Sequence, residues 1–401
     1  MAGLGTKLWT SGEVVTAAGV NGYLQDQVIG TYASTTARDA AFGGAGEPTL
    51  SEGMFAYTTD TNTLWFYKGT SWINVLGSNI GETSTSNRNG VINGGMSVWQ
   101  RGTSFTSNGS QNYSADRFSF FRAVADSTLS RQTTSDTTNL PQIQYCARIQ
   151  RTAATSSTSA IFLTYSFETA DSIRFVNRTA TFSFYARAGA NYSSASSGLT
   201  ASLVSGTGTD QNTLNGFTGG ATVATGTATL TTTWQRFQYT GTVASTATQL
   251  GININFTPVG TAGAADYFEV TGVQVELGSV ATPFETEDYG TTLAKCQRYY
   301  QRTTGLRNFG LVTSQVAADA YGFIPLPCTM RVAPTSVDSN TLRAFDLVNA
   351  ATTISSLTLD GSVSSESYAA IKIVTTGMTA FRTYYIIQNG ATSYLGFSAE
   401  L

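Results

Sequence analysis

Eight carboxylates are the residues of this chain best suited to chemistry: Asp116, Glu168, Asp266, Glu269, Glu276, Glu285, Glu287 and Asp288. The 401 residues include no histidine, which removes Ser-His-Asp and Cys-His nucleophiles and the HExxH zinc site. Neither a GxxxxGK(S/T) phosphate loop nor an EF-hand loop occurs. Acid–base hydrolysis by a carboxylate pair remains, and a glycosidase needs two such groups roughly 5 to 9.5 Å apart, one with a raised pKa. The local contexts argue for structural roles. Asp116 beside Arg117 in YSADRF, at the start of a strand, reads as a structural ion pair or turn cap. Glu276 lies in a strand. Glu285, Glu287 and Asp288 precede a helix, where carboxylates suit the helix dipole. The chain is therefore read as a non-enzyme with no cofactor and no metal site.

Cys146, Cys296 and Cys328 lack CxxC spacing and cannot all pair, so they read as reduced thiols. Carbohydrate binding without cleavage is a second chemistry, because sugar C–H faces pack on aromatic rings while amides and guanidiniums hold hydroxyls. Trp99-Gln100-Arg101 and Trp234-Gln235-Arg236 offer such sets. Each Trp also sits at a strand start, where a buried anchor is the commoner outcome.

The elements that would position these groups are strands. Forty glycines, 22 Phe and 19 Tyr against 12% charged residues, with abundant Ser and Thr, describe an all-β, loop-rich chain. The net charge of −3, from 22 basic and 25 acidic residues, gives no electrostatic reason to bind nucleic acid. No apolar stretch reaches the roughly 20 residues that span a bilayer, and MAGLGTKLWTSGE lacks a signal-peptide core, so synthesis in a cytosol is expected and membrane insertion is not.

Residues 1–30 hold a short helix with Val20, Tyr23 and Leu24 on one side, too small for its own core. Residues 31–80 read as a small β-meander, with strands at Met54–Tyr57 and Thr63–Tyr67 and aromatics that pack together. A Ser/Thr/Asn linker, 81–90, leads to a jelly-roll-like β-sandwich over 91–288 with eight to ten strands. Ala221–Trp234, small apolar residues alternating with Thr, suits an edge strand. A connecting helix over 289–302 and a strand-rich domain over 303–401 follow.

The junction VQVELGSVATPFETEDYGTTLAKCQRYYQR (Val273–Arg302) is the most specific stretch. Val273, Val275 and Leu277 alternate with Gln274 and Glu276 as in a half-buried strand. Leu293, Cys296 and Tyr300 then fall at i, i+3 and i+7, one stripe of a helix. This junction resembles one that recurs in tail fibres and related receptor-binding structural proteins of tailed bacteriophages. NGGMSVWQRGTSFTSNGSQNYSADRF (Asn93–Phe118), IPLPCTMRVAPT (Ile324–Thr335) and the final FSAEL resemble the same group, as do Lys7–Val28 and Glu52–Trp72.

The resemblance implies a multidomain fibre on the virion surface, made in the host cytoplasm and acting as an adhesin for a host-surface glycan or receptor. It implies a homotrimer, with Asp116, Arg117, Leu293, Cys296 and Tyr300 in structural or oligomerisation roles. It also implies an N-terminal segment anchored to other phage tail or capsid proteins through Leu8, Trp9, Val20, Tyr23 and Leu24. Host contact would fall on the distal C-terminal domain, where Tyr384, Tyr385 and Tyr394 join Trp99 and Trp234 as carbohydrate-binding candidates. Tyr384 and Tyr385 must face opposite sides of one strand. Two alternatives stand beside the adhesin: a capsid fibre, decoration or tail-adaptor protein with the same modules and no receptor of its own, and a polysaccharide-degrading tailspike. A β-helical spike should show a short self-similar period, and none occurs.

Overall fold

A computed structural model describes residues 11–14, 16–17, 29–44, 49–75, 87–140, 142–305, 308–348 and 351–401. Leu8, Trp9, Val20, Tyr23 and Leu24 lie outside the described residues. The chain forms two compact units, 1–85 and 86–401. In the first, the meander β2 (Phe55–Thr58), β3 (Thr63–Tyr67) and β4 (Trp72–Asn74) is joined in parallel by β1 (Gly30–Tyr32), a strand too short to be read from its three residues. The aromatics of this unit pack around a cation. The Arg38 guanidinium lies 4.7 Å from the Trp65 ring centroid and 4.9 Å from that of Trp72.

The second unit begins with a jelly-roll-like sandwich of two six-stranded sheets. One runs β13 (Ala221–Thr229), β12 (Gly198–Gly206), β15 (Gln249–Phe256), β10 (Ile161–Ser166), β7 (Phe118–Arg122), β6 (Asn112–Tyr113). The other runs β14 (Gln235–Thr242), β11 (Thr179–Ala188), β16 (Tyr267–Leu277), β9 (Tyr145–Arg151), β8 (Ser127–Thr133), β5 (Ser104–Thr106). The Thr-rich β13 is an edge strand. Between the sheets, period-2 side chains such as Phe118, Phe120, Leu163, Phe182, Phe184, Ile252, Ile254 and Phe268 form one buried core.

In β16 the inward residues are Phe268 and Val270, then Val273 and Val275. Gly272 (φ +58°) absorbs the change of phase as a bulge, matched by a register shift opposite it in β11. The expectation of a half-buried strand is corrected here, because Gln274 and Glu276 are buried too. After Gly278 the chain doubles back over the outer face, and its donors satisfy both side chains. Thr282 N and Oγ1 donate to Glu276 Oε1 and Oε2 at 2.9 and 2.6 Å, and Glu285 N donates to Gln274 Oε1 at 2.8 Å. Glu276 is therefore a clamp for the strap that follows its strand.

At one end of the sandwich a buried guanidinium fills an oxygen cage. Arg151 donates to Asp266 Oδ2 (2.7 Å), Ser193 Oγ (2.7 Å) and the carbonyls of Gly260, Thr155 and Ser157 (3.0, 3.2 and 2.8 Å). Its charge is balanced by a carboxylate that is likewise buried.

The helix spans Tyr289–Gln297, shorter than the stripe predicted. Asp288 caps it, its carboxylate accepting from Thr291 N at 3.0 Å. Tyr300 lies instead on β17 (Tyr300–Thr304), which pairs with β26 (Tyr394–Ser398). Pairing with a strand almost a hundred residues away outweighs the local 3.6-residue period. Cys296 and Thr292 are buried and Leu293 is half-buried, so the apolar stripe of this helix docks on its own chain.

The C-terminal part comprises a three-stranded sheet, β17, β26 and β20 (Ser336–Asn340), and a seven-stranded sheet. The latter runs β22 (Thr352–Thr353), β21 (Leu342–Phe345), β25 (Thr383–Gln388), β18 (Gly310–Ser314), β19 (Asp319–Pro325), β24 (Tyr368–Val374), β23 (Ser356–Leu359). Val312, Ile324, Ile371, Ile373, Tyr384 and Ile386 fill a second core on one face of it.

Candidate functional site

The sequence segments WQR, SADRF, RYYQR and SAEL, scattered over 300 residues, meet at one joint between the sandwich and the C-terminal sheets. Arg117 and Arg101 both pair with Glu400, the latter at 3.3 Å. Each guanidinium also sits over a buried tyrosine ring, Arg117 at 3.4 Å from the Tyr299 ring centroid and Arg101 at 3.5 Å from that of Tyr300. Asp116 accepts from Gln100 N at 2.9 Å and from Gln100 Nε2, which also donates to Tyr300 O at 2.7 Å. The expected Asp116–Arg117 ion pair does not form. With φ at +74°, Arg117 turns to Glu400, while its neighbour turns to Gln100. Burial pushes the Asp116 carboxyl from 3.8 up to about 6, outweighing Arg101 and the Gln100 hydrogen bonds, which pull it down. Arg331 adds a bond to Ala399 O (2.6 Å) and an ion pair with Asp210 (2.8 Å).

Beside this joint opens a cleft of about 550 Å³. Its walls are the chain at 87–97, the end of β8 with the start of β9, and the strap and helix from 284 to 295. The first wall is fixed by backbone pairing to β16: Gly90 N donates to Val275 O (2.8 Å) and Val273 N to Gly94 O (2.9 Å). Asn93, at φ +62°, uses its whole amide internally, donating to Val98 O and Asp116 O and accepting from Ser97 N and Val98 N. The strap is tied to the same wall where Asn89 N donates to Glu285 Oε2 at 2.7 Å.

The groups turned to solvent in the cleft differ from those that build it. Tyr289 is 57% exposed, and Gln142 and Gln144 are exposed on either side of buried Ile143. Arg131 stacks on Tyr145 at 4.7 Å, and Phe284 supplies a half-buried ring. Both cleft carboxylates are engaged, Glu285 with Asn89 N and Glu287 with Lys295 and Thr292 Oγ1. The surface can present aromatic faces with amide and guanidinium donors around them.

None of the five predicted carbohydrate-binding residues lines this cleft. Trp99 is buried, its Nε1 donating to Met96 O at 2.7 Å. Trp234 is buried with Leu140, Ile143 and Cys146. Burial of these rings leaves no face for a sugar. Tyr384 is buried and its hydroxyl accepts from Thr379 N. Tyr394 has its ring covered by Arg302 at 3.4 Å. Tyr385 is half-exposed on the opposite face from Tyr384. The residues that do line the cleft left only a slight trace in the sequence, the alternation Gln142-Ile143-Gln144 and a tyrosine just after the helix cap.

Of the other carboxylates, Glu269 is held between Arg148 (2.6 Å) and Arg187 (2.5 Å), Asp266 by Arg151 and Glu168 by Arg298 at 3.3 Å. Among the described residues no group of three or more Cys, Asp or Glu could hold a metal ion, and no helix is long and apolar enough to cross a membrane. Cys146 and Cys296 are buried and Cys328 is partly exposed, all three as free thiols.

No protein-family model matches the chain, and no curated protein matches it. Among solved structures, a CBM4 structure aligns over 47% of this chain and 100% of its own, at 16% identity and a TM-score of 0.29. The CBM22-1 xylan-binding domain of Paenibacillus barcinonensis Xyn10C aligns over 40% of this chain and 87% of its own, at 15% identity and 0.25. The Stig cyclase Fisc of Fischerella sp. TAU aligns over 48% and 97%, at 10% identity and 0.29. Likeness this loose, spanning a xylan-binding domain and a cyclase, identifies neither a ligand nor a site.

Proposed function

We propose that this protein is a bacteriophage fibre-like adhesin of the virion surface that binds host-surface carbohydrate in the cleft beside Tyr289. The observation that carries the binding reading is the furnishing of that cleft: an exposed tyrosine, two exposed glutamines and a stacked arginine on walls fixed by β16 and its strap. A sugar ring would lie on Tyr289 while Gln142, Gln144 and Arg131 take its hydroxyls. Binding rather than hydrolysis is supported by the engagement of Glu285 and Glu287 with their own chain. The phage assignment rests on the resemblance of the ordered motifs, four of which build the joint around Glu400.

The test is a titration of purified protein with extracted surface polysaccharides from a panel of bacteria, alongside cell adsorption. Saturable binding is expected. Tyr289→Ala should weaken it about tenfold, equivalent to roughly 1.4 kcal/mol. Binding unchanged in Tyr289→Ala and Gln144→Ala would refute the cleft. A protein that adsorbs to no bacterial surface would favour the capsid fibre, decoration or tail-adaptor reading, and release of reducing ends would favour the tailspike.

A further inference from the structure

An antiparallel sheet with one face in water ordinarily alternates apolar inward with polar outward residues. The seven-stranded sheet departs from that rule on its outer face. Phe345 pairs with Tyr385 and Tyr385 with Leu311, while the Thr313–Tyr321 pairing brings Leu311 beside Phe323, which pairs in turn with Ala370. Phe323 also meets Tyr368 edge-on at 5.5 Å. The row is thus apolar across five consecutive strands. Its middle is open, with Phe323 62% and Leu311 48% exposed and Tyr368 beside it 37%, while Ala370 at its end is buried. The opposite side of the same strands already fills the C-terminal core, so folding of this domain does not require the outer row.

We infer that this face is covered by a second copy of the chain. Three features favour that occupant. Seven strands of two to seven residues, at about 4.8 Å spacing and about 3.4 Å per residue, present roughly 600 Å² of face, close to the ~800 Å² each partner contributes to a standard interface. The charged outward positions on the sheet are Arg343, Lys372 and Asp319, and the last two pair with each other at 2.9 Å. The face therefore keeps one net positive charge, at Arg343, and can meet itself with little like-charge repulsion, whereas it offers a charged or strongly polar partner little. Its apolar row suits face-to-face sheet packing at about 10 Å, with the aromatic side chains interleaving. The helix Tyr289–Gln297, by contrast, has already buried Thr292 and Cys296 in its own chain and keeps little apolar surface to staple copies together.

The inference stands apart from the cleft, which lies on another element. Light scattering on the full chain after size exclusion should give a multiple of 42.4 kDa. The double variant Leu311→Asp/Phe323→Asp should run at 42.4 kDa with an unchanged far-ultraviolet spectrum. Phe323→Ser alone, milder for folding, should raise the dissociation constant of the assembly at least tenfold. A monomeric wild-type chain, or an assembly whose mass and dissociation constant survive both variants, would overturn it. A monomer that still bound glycan would overturn this inference while leaving the cleft reading intact.

Discussion

Replacing Asp116 by asparagine should stabilise the protein at neutral pH and leave it unchanged in acid. Asp116 is enclosed where the sandwich meets β17, and burial raises its carboxyl from 3.8 to about 6. At about 1.36 kcal/mol for each tenfold change in proton affinity, that rise corresponds to about 3 kcal/mol. The sign follows from proton uptake. Between pH 3.8 and about 6 the folded chain holds the proton and the unfolded chain has lost it, so stability falls as pH rises through this window. Below it the contribution of the neutral acid is fully present; above it the buried carboxylate costs about 3 kcal/mol. The substituted asparagine would stay neutral throughout, and its amide oxygen can accept from Gln100 N while Gln100 Nε2 keeps its bond to Tyr300 O. Subtracting the unfolding free energy of Asp116→Asn from that of the native chain, by urea titration at steps from pH 3.5 to 7.5, removes the other titrating groups. The difference should be near zero at the acid end and grow to about 3 kcal/mol in favour of the variant by pH 7. A flat difference, or one that favours the native residue as pH rises, would show that Gln100 and Arg101 outweigh desolvation and would refute the reasoning.

Two further outcomes follow from the packing. Arg151→Met should cost about 3–5 kcal/mol, read as a lowered urea midpoint, because it strands the buried Asp266 carboxylate and three carbonyls; a cost under about 1 kcal/mol would show that water or relaxation satisfies them. Gly94→Ala should cost about 1–3 kcal/mol in thermal unfolding, since its Cβ would stand 2.0 Å from Val273 O and push the cleft wall off β16; an unchanged melting temperature would mean that the wall is not held as described.

Much of the architecture was legible because it is written in short periods. The alternation of Val273, Val275 and Leu277 identified the inward face of β16, and the Ala/Thr alternation of β13 marked an edge. The carboxylates Glu285, Glu287 and Asp288 announced a helix start, and Asp288 is the one that caps it. The helix end was not legible, because Tyr299 and Tyr300 are claimed by Arg117 and Arg101, almost two hundred residues earlier. Trp99 and Trp234 drew attention as sugar platforms through residue type, yet burial is a property of what packs over a ring.

By itself, then, the sequence determined the all-β class, the sandwich strands, the helix start and the lack of histidine chemistry, since propensity, period and composition act through neighbours along the chain. The tertiary structure decided the rest. Which arginines meet Glu400, which polar residues a strap covers, that three separated segments enclose a cleft, and that the chain itself leaves one sheet face uncovered all depend on register between distant strands. Shifting a strand by one residue exchanges every inward side chain for an outward one, and no local pattern records what lies across the gap.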